Sequence, residues 1–415
     1  ICFDGRIPEI ARCLALQGAE VIVDMANFFT MDQAELWVPA RAYENGVWFV
    51  AATKAGVERS IYYPGGSMIV SPTGEVKGRM PYDEHGVVTA EIDLGEARQK
   101  QWPTGAGDRF ADRRPSAYGL LAIPFDGGEA DRRLAEPLVP ERALAKVAAV
   151  QAHATAMMPD GGGYALEMAA HAGKLGVDVI VLPLHMSSPT WCPDAVEAAA
   201  VAERASFAIA RAARVAQDYG AIVVLPLLER DGAVIHSTAV VIGTDGDVIG
   251  RQRQVHIEDS MRAFCKAGSE FTVFDTTYGR IGVVLGYDGL FPESTRALAL
   301  AGADIIAWPC AWRHPRERSL FAVTKAEDNR VYVVCANRTD APYPGGSFVV
   351  SPSGFPHWDV ERVAPSVTRH GAVMPTHANL ALSRQKLMIP RVDMLRNRVT
   401  GTYGPIVAPI AQTIG

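Results

Sequence analysis

The sequence lacks the features that place a protein in a membrane or hold it together by disulfide bonds. Its 415 residues contain no uninterrupted apolar run near the roughly 20 residues of a membrane span, and no basic-then-apolar leader stands at the amino end. The six cysteines are scattered without CxxC spacing, and the histidines show no paired spacing for a metal. We therefore predict reduced thiols, no cofactor and a cytoplasmic location.

An excess of positive charge is also absent. The chain has 40 Lys and Arg against 46 Asp and Glu, a net charge of −6. This mildly acidic balance favours neither nucleic acid nor a membrane surface as a partner. The length is too great for one ordinary core and predicts two or three domains.

An internal repeat explains the organisation of the chain. The segment ICFDGRIPEIARCLALQGAEVIV at 1–23 matches LGYDGLFPESTRALALAGADIIA at 285–307, an offset of 286 − 2 = 284. The match continues with YPGGSMIVSPTG at 63–74 against YPGGSFVVSPSG at 343–354. Even the tails agree, since RRPSAYGLLAIP at 113–124 matches NRVTGTYGPIVAP at 397–409.

The second copy is longer on its amino side. From about Ala145 it adds strands, a long helix near 194–218 and a hairpin that turns at Asp245-Gly246, whereas no equivalent precedes Cys2. The first copy lacks roughly 286 − 145 = 141 residues, and we expect that the beginning of the sequence is missing. We predict half a domain at 1–125, a polar linker at 126–142 and a complete domain at 143–415.

The first copy opens on a cysteine at a predicted strand-to-helix corner. Pro8 suits the first turn of a helix with Ile7, Ile10, Ala11 and Leu14 on one apolar face, and VIVDMA at 21–26 indicates a buried strand. A thiol at such a corner can act as a nucleophile, because unpaired N–H groups of the turn stabilise an oxyanion. The alternative is a small buried apolar side chain. Helices alternating with strands and hairpins fit mixed sheets in an α-β-β-α sandwich, an α/β (α+β) fold.

The segment CFDGRIPE at 2–9 resembles the nitrilase superfamily, the carbon–nitrogen hydrolases. The family pattern has a Glu after Pro at a strand end, a Lys before Val-His, and a Cys followed by an aromatic residue, Asp and Pro-Glu. The resemblance implies the four-layer α-β-β-α fold and hydrolysis of an amide or N-carbamoyl amide, a small-molecule substrate, through a cysteine thioester. Cys2 is then the nucleophile and the N–H of Phe3 an oxyanion donor. The family's Glu and Lys do not lie in the first copy.

The resemblance also assigns roles beyond the nucleophile. Asn27 and Phe28 resemble positions that line the family's substrate pocket. The alternative is that Asn27 caps a helix or turn and that Phe28 is an aromatic residue at the rim. In the second copy Leu184, Gln254 and Gly286 occupy the positions of Glu, Lys and Cys, which predicts a pseudoenzyme domain. His185 is either a substitute base or a buried histidine.

Family members associate through the helix after the nucleophile. We therefore expect the second copy to act as a covalently attached partner in an intramolecular pseudo-dimer, with further homo-oligomers left open. The alternative function is a non-catalytic binding or assembly protein. The choice among amide, carbamoyl and nitrile substrates also stays open.

Overall fold

The chain forms two compact units. The computed structural model describes residues 1–125, 127–136, 143–155, 163–188, 194–340, 342–354, 356–357 and 371–410. Unit 1 consists of Ile1–Pro124, Phe291–Glu293 and Arg398–Gly415, and unit 2 of Phe125–Leu290 and Ser294–Asn397. In the described ranges, no helix has the length and apolar character needed to cross a membrane.

Unit 1 is built on a four-stranded sheet in the order β1-β2-β5-β6. β1 and β2 are parallel, the other pairs of the sheet are antiparallel, and β3 and β4 form a separate hairpin. The strands are β1 (Val21–Ala26), β2 (Trp48–Thr53), β3 (Ala55–Glu58), β4 (Ile61–Pro64), β5 (Met68–Val70) and β6 (Val76–Arg79). The helices are α1 (Pro8–Leu16), α2 (Val38–Asn45), α3 (Leu94–Arg98) and a short helix at Gly404–Val407. The predicted strand at 21–26 is thus present, but the prediction that it is buried is wrong for one face, on which Val23 and Met25 are exposed.

Helix α1 follows the predicted apolar face only in part, since Ile7 and Ala11 are buried. It begins at Pro8 as expected and ends before Gly18, which has φ +94°. The prediction is wrong at Leu14, which is 44% exposed, whereas the charged side chains of Glu9 and Arg12 are buried. Apolar periodicity misplaced the face because these two residues have charged partners in unit 1.

Unit 2 contains two six-stranded sheets. Their orders are β11-β10-β9-β8-β7-β18 and β12-β13-β14-β15-β16-β17. The strands are β7 (Leu144–Gln151), β8 (Val179–Val181), β9 (Ile222–Asp231), β10 (Val234–Ile242), β11 (Val248–Arg253), β12 (Val273–Thr276), β13 (Gly279–Val283), β14 (Ile305–Pro309), β15 (Tyr332–Ala336), β16 (Phe348–Val350), β17 (Pro356–His357), β18 (Ala372–Asn379), β19 (Leu387–Ile389) and β20 (Val392–Asp393). The helices are α4 (Glu129–Ala135), α5 (Tyr164–Lys174), α6 (Ala195–Ala202), α7 (Ala205–Tyr219), α8 (Pro292–Leu300), α9 (Val323–Asn329) and α10 (Leu380–Arg384).

The layers of unit 2 are defined by the side chains of its strands, which point alternately to the two faces of each sheet. On β7, Val147 and Ala149 enter a core shared with the second sheet, which contributes Ile281 and Val334. The alternate residues of the same strands pack against α5 and α7 in a second core. On the outer face of the second sheet, α8 packs closely against β13. A β-carbon added to Gly282 of β13 would lie only 2.9 Å from the Leu298 side chain in α8. The predicted α-β-β-α sandwich is confirmed, as is its mixture of parallel and antiparallel pairs.

Two predicted elements differ from the structure. The long helix near 194–218 is two helices, α6 and α7, separated between residues 202 and 205. The predicted linker 126–142 contains the helix α4, while residue 126 and residues 137–142 lie outside the described residues. Helical periodicity runs through the break between α6 and α7, because the Ala-rich sequence gives no strong stop signal there.

Candidate active site

Cys2 lies at the corner that leads into α1. It begins a short 3-10 helix, Cys2–Arg6, and has φ +56°, a left-handed conformation that is uncommon for residues with a β-carbon. Its Sγ lies 3.8 Å from the carbonyl oxygen of Asn27, which follows β1. Cys2 is half-buried, whereas the other described cysteines, Cys13, Cys265, Cys310 and Cys335, are buried. Cys192 lies outside the described residues.

A buried arginine on α2 supports this corner. The Arg41 guanidinium donates hydrogen bonds to the carbonyl oxygens of Gly5, at 3.3 Å, and Arg6, at 2.9 Å. It also forms an ion pair with Glu44 at 3.0 Å, and both side chains are fully buried. Because a buried charge is costly without partners, the pair fixes α2 and the corner relative to each other.

Asp24 on β1 is a second support, which sequence reasoning missed. Its Oδ1 accepts a hydrogen bond from the Cys2 N–H at 2.8 Å, and the residue is 3% exposed. Burial raises the pKa of Asp24, and the hydrogen bond from the Cys2 N–H opposes this effect. The signal was available in the sequence, since an acidic residue in the short apolar strand VIVDMA is unusual.

The predicted pocket residues differ in their surroundings. The carbonyl of Asn27 lies beside the thiol, while its side chain is exposed. Phe28 is 3% exposed and belongs to the core cluster of unit 1, against which Cys2 packs. The N–H of Phe3 lies in the first turn of the 3-10 helix, where N–H groups have no intrahelical acceptor. The structure thus places the Asn27 carbonyl beside the thiol and Phe28 in the core against which Cys2 packs.

Asp4 and its repeat partner Asp288 have different surroundings. Asp288 is fully buried and accepts hydrogen bonds from the N–H groups of Val255 and His256, which follow β11. The Asp4 side chain is 55% exposed. In the part of the chain that the structure describes, unit 1 has no counterpart of β7–β11.

In unit 2 the three positions assigned by the repeat meet in space. A β-carbon added to Gly286 would lie 2.6 Å from Leu184 Cδ2 and 4.0 Å from Gln254 Nε2. Gln254 Nε2 donates to the carbonyl of His256 at 2.9 Å. These positions therefore supply no thiol, carboxylate or ammonium group.

His185 lies next to Leu184 in unit 2 and is buried. Burial, reinforced by the charges of Arg338 and Arg313, lowers the pKa of His185 to about 3. The imidazole is thus neutral at pH 7 and a weak base. Nearby, burial raises the pKa of Glu317 to about 7, a carboxyl that sequence reasoning did not single out.

A metal has no evident place in either unit. Within the described ranges, no group of three or more His, Cys, Asp or Glu side chains could hold a metal ion. The chemistry that these residues offer is that of a thiol beside backbone N–H groups.

Comparison with known proteins gives a consistent set of relatives. The carbon–nitrogen hydrolase family model matches residues 1–101 and 146–356. A nitrilase of Pyrococcus abyssi is 32% identical over 221 residues, which cover 50% of this chain and 82% of that protein. An N-carbamoylputrescine amidase of Arabidopsis thaliana is 26% identical over 204 residues, 43% of this chain and 66% of that one.

A solved structure agrees in fold. The carbon–nitrogen hydrolase of Helicobacter pylori G27 aligns with a TM-score of 0.53 at 20% identity, covering 62% of this chain and 96% of that one. At this identity the likeness bears on the fold alone. Since the family model spans most of both repeats and the P. abyssi relative is matched over most of its length, this chain belongs to the carbon–nitrogen hydrolase family.

Proposed function

We propose that Cys2 is the nucleophile of a hydrolase that cleaves amides or N-carbamoyl amides through a thioester. The observation that carries the proposal is the corner itself: a half-buried thiol with φ +56° inside an intact CFDGRIPE segment. The Sγ of this corner residue lies 3.8 Å from the carbonyl oxygen of Asn27, and the adjoining N–H of Phe3 has no intrahelical acceptor. Such donors stabilise the charge that develops on a carbonyl oxygen.

The proposed reaction has two balanced steps. The thiolate of Cys2 attacks the carbonyl carbon, the C–S bond forms, and the C–N bond breaks as the nitrogen leaves with a proton as ammonia or amine. Water then attacks the thioester, releasing the carboxylic acid and restoring the thiol. The Phe3 N–H holds the carbonyl oxygen in both steps, and Asn27 and Phe28 border the substrate.

The reaction also requires a base and a cationic donor. Within the described residues, unit 1 offers no strand equivalent to β8 or β11, whose ends carry Leu184 and Gln254 in unit 2. We propose that a segment equivalent to residues 143–285, in the same polypeptide or another, supplies a Glu after Pro and a Lys before Val-His. The partly exposed carboxylate of Asp4 is the acceptor available to such a segment.

Amide and N-carbamoyl substrates are preferred over nitriles. Nitrilases usually have Trp-Glu-Asn after the nucleophile, whereas this chain has Phe3-Asp4-Gly5. The similarity to a protein named N-carbamoylputrescine amidase supports the same class, although a protein named nitrilase is also similar. Free thiols at the described cysteines agree with the proposed cytoplasmic location.

The nucleophile can be tested in the full-length natural protein with short aliphatic amides and N-carbamoyl amines. We expect Cys2→Ala to lower kcat by at least about a thousand-fold, because no other group can form the thioester. The matched control is Cys13→Ala in α1. Burial and the charge of Glu9 raise the pKa of Cys13 to about 12, so that thiol is inert and its removal should leave kcat unchanged. Equal turnover in Cys2→Ala and Cys13→Ala would refute the proposal.

The alternative is a non-catalytic binding or assembly protein. It gains support if no Glu and Lys of the required kind are found, and the coding sequence before Ile1 is the cheapest place to look. A Pro-Glu strand end and a Lys-Val-His there would favour the enzyme.

We further propose that unit 2 is a pseudoenzyme domain whose former nucleophile site is filled by packing. The Leu184 side chain occupies the space that a β-carbon at Gly286 would need. The glycine at the Cys position and the leucine at the Glu position are thus adjacent, so the packing at one depends on the side chain at the other.

A double-mutant cycle tests this coupling by urea unfolding. Gly286→Ala should cost about 1–3 kcal/mol through overpacking against Leu184, in addition to the strain of a β-carbon at φ +43°. In the Leu184→Ala background the overpacking part of that cost should disappear, giving a coupling of about 0.5–3 kcal/mol. Gly220→Ala, at φ +63° with nothing within 4 Å of an added β-carbon, is the control for backbone strain alone. Additive effects of Gly286→Ala and Leu184→Ala would show that Leu184 does not fill the site.

The second repeat is also proposed to act as an attached partner of the first, in an intramolecular pseudo-dimer. Unit 1 includes Glu293 and Arg398, which belong to the second repeat in sequence. Glu293 accepts from Arg12 Nε at 2.7 Å and lies 3.5 Å from Arg113, with all three side chains buried. The repeat-related pair, Arg398 and Glu9, is 3.6 Å apart and equally buried. Within unit 1, each repeat thus contributes a buried glutamate that pairs with an arginine of the other repeat.

The ion pair predicts a large stability effect. Although burial alone raises it, the charge and hydrogen bond of Arg12 lower the pKa of Glu293 to about 2. Glu293→Ala should cost about 3–5 kcal/mol at pH 7, because Arg12 is left buried without its carboxylate. Since the folded pKa is depressed, this stabilisation is present above about pH 4.5 and is lost as the pH falls towards 2.

The control for Glu293→Ala is Glu203→Ala, which breaks an exposed ion pair with Arg230 at 2.9 Å. Its cost should stay within about 1 kcal/mol. Thermal or urea unfolding measures both variants. Similar midpoints for Glu293→Ala and Glu203→Ala would contradict a structural role for Glu293 in unit 1.

Deletion of residues 143–415 from the full-length protein tests the pseudo-dimer as a whole. We expect aggregation or loss of activity, because the deletion removes Glu293 and the tail from Arg398 while leaving Arg12 and Arg113 in unit 1. Light scattering and turnover are the measurements. A truncated protein that stays soluble, monomeric and fully active would overturn the proposal.

A further inference from the structure

An acidic side chain occupies a core position behind Cys2. Along β1 the buried residues are Ile22, Asp24 and Ala26, while Val23 and Met25, on the opposite face, are 60% and 58% exposed. Asp24 therefore stands where an aliphatic side chain would ordinarily pack. A carboxyl group at such a place is unfavourable unless its oxygens have partners.

The contacts of Asp24 are concentrated on the corner residue. Oδ1 accepts the Cys2 N–H at 2.8 Å and lies 3.6 Å from the Ile1 amine, whereas Oδ2 is buried and has no hydrogen-bond partner among the described residues. A β-carbon added to Gly5 would lie 2.5 Å from Oδ2. The absence of a side chain at Gly5 is thus what admits the carboxyl group to this position.

The equivalent position in unit 2 also contacts its corner, with the opposite hydrogen-bond polarity. Position 308 follows from the repeat offset, 24 + 284 = 308. Trp308 donates its indole N–H to the carbonyl oxygen of Gly286 at 3.0 Å. Gly286, like Cys2, has positive φ, +43°. In each unit, therefore, the side chain at this strand position forms a hydrogen bond with the backbone of the left-handed corner residue.

We propose that Asp24 is a positioning residue for the nucleophile, an inference that rests on the proposed role of Cys2. By accepting the Cys2 N–H, the carboxyl group holds the peptide before the thiol and maintains the φ of +56° that turns Sγ outward. The next N–H along the chain, that of Phe3, is left for the carbonyl oxygen of the substrate. The left-handed conformation is unfavourable for a residue with a β-carbon, so the corner depends on such a bond.

The charge of Asp24 is compatible with this role. A full negative charge beside the corner would oppose both the thiolate and the oxyanion. Burial raises the pKa of Asp24, against the opposing effect of the hydrogen bond from the Cys2 N–H. Accepting a hydrogen bond requires only an oxygen, which the neutral and ionised forms both provide.

Two substitutions separate positioning from acid–base chemistry, in the full-length protein with a short aliphatic amide such as butyramide. Asp24→Asn keeps an acceptor oxygen at the Cys2 N–H, so kcat should fall by no more than about three-fold. Asp24→Val has a similar shape without an acceptor, so kcat should fall by about ten- to a hundred-fold with KM nearly unchanged. The rate at which the acyl group appears on Cys2, followed by intact-protein mass, should fall in parallel with kcat.

Each remaining outcome contradicts the inference. An equal loss in Asp24→Asn and Asp24→Val would mean that the ionised group itself takes part. Unchanged kcat in Asp24→Val, or a loss that follows only a lowered Tm, would mean that Asp24 does not position the thiol. If Asp24→Val fails to fold, Asp24→Asn and Asp24→Ser, whose shorter side chain cannot reach the Cys2 N–H, give the same comparison. Cys2→Ala is assayed beside them, because activity in that variant would refute the proposed function, whereas an inactive Cys2→Ala with normal Asp24 variants refutes this inference alone.

Discussion

The left-handed backbone at one corner residue is the constraint on which the site depends. Cys2 has φ +56° and its counterpart Gly286 has φ +43°, and each begins a 3-10 helix that leads into the next α-helix. Cysteine adopts this conformation only where surrounding contacts enforce it. In unit 1 those contacts are the Asp24 carboxyl on one side and the Arg41 guanidinium on the other. The backbone around the thiol is therefore held by two polar side chains that are themselves buried.

The corner carries a cysteine in the first repeat and a glycine in the second. Gly286 has a left-handed backbone like that of Cys2, and the Leu184 side chain lies where a β-carbon on Gly286 would be. At the strand position where unit 1 has Asp24, unit 2 has Trp308, whose indole N–H donates to the carbonyl oxygen of Gly286. The fold of unit 2 does not depend on the three substituted positions alone. Its two cores are formed by side chains from many strands and helices.

Much of this organisation could be predicted from the sequence. The repeat offset located the corner, its helix and the strand 21–26, and the CFDGRIPE segment indicated the family, because short motifs depend on local backbone geometry. The buried face of α1 could not be predicted, since the burial of Glu9 and Arg12 depends on partners far away in sequence. Asp24 was missed for the same reason. Its contact with Cys2 forms only because the chain passes from the corner through α1 and returns along β1. The break between α6 and α7 has no strong local signal.

The central claim is that the Cys2 corner forms an acyl intermediate. It is tested most directly by rapid mixing of the full-length protein with an amide, followed by acid quench and peptide mass mapping. The account predicts that the peptide containing Cys2 gains the mass of the acyl group and loses it again as turnover ends, while the peptide containing Cys13 is unchanged. An acyl group found on another residue, or turnover with none on Cys2, would contradict it.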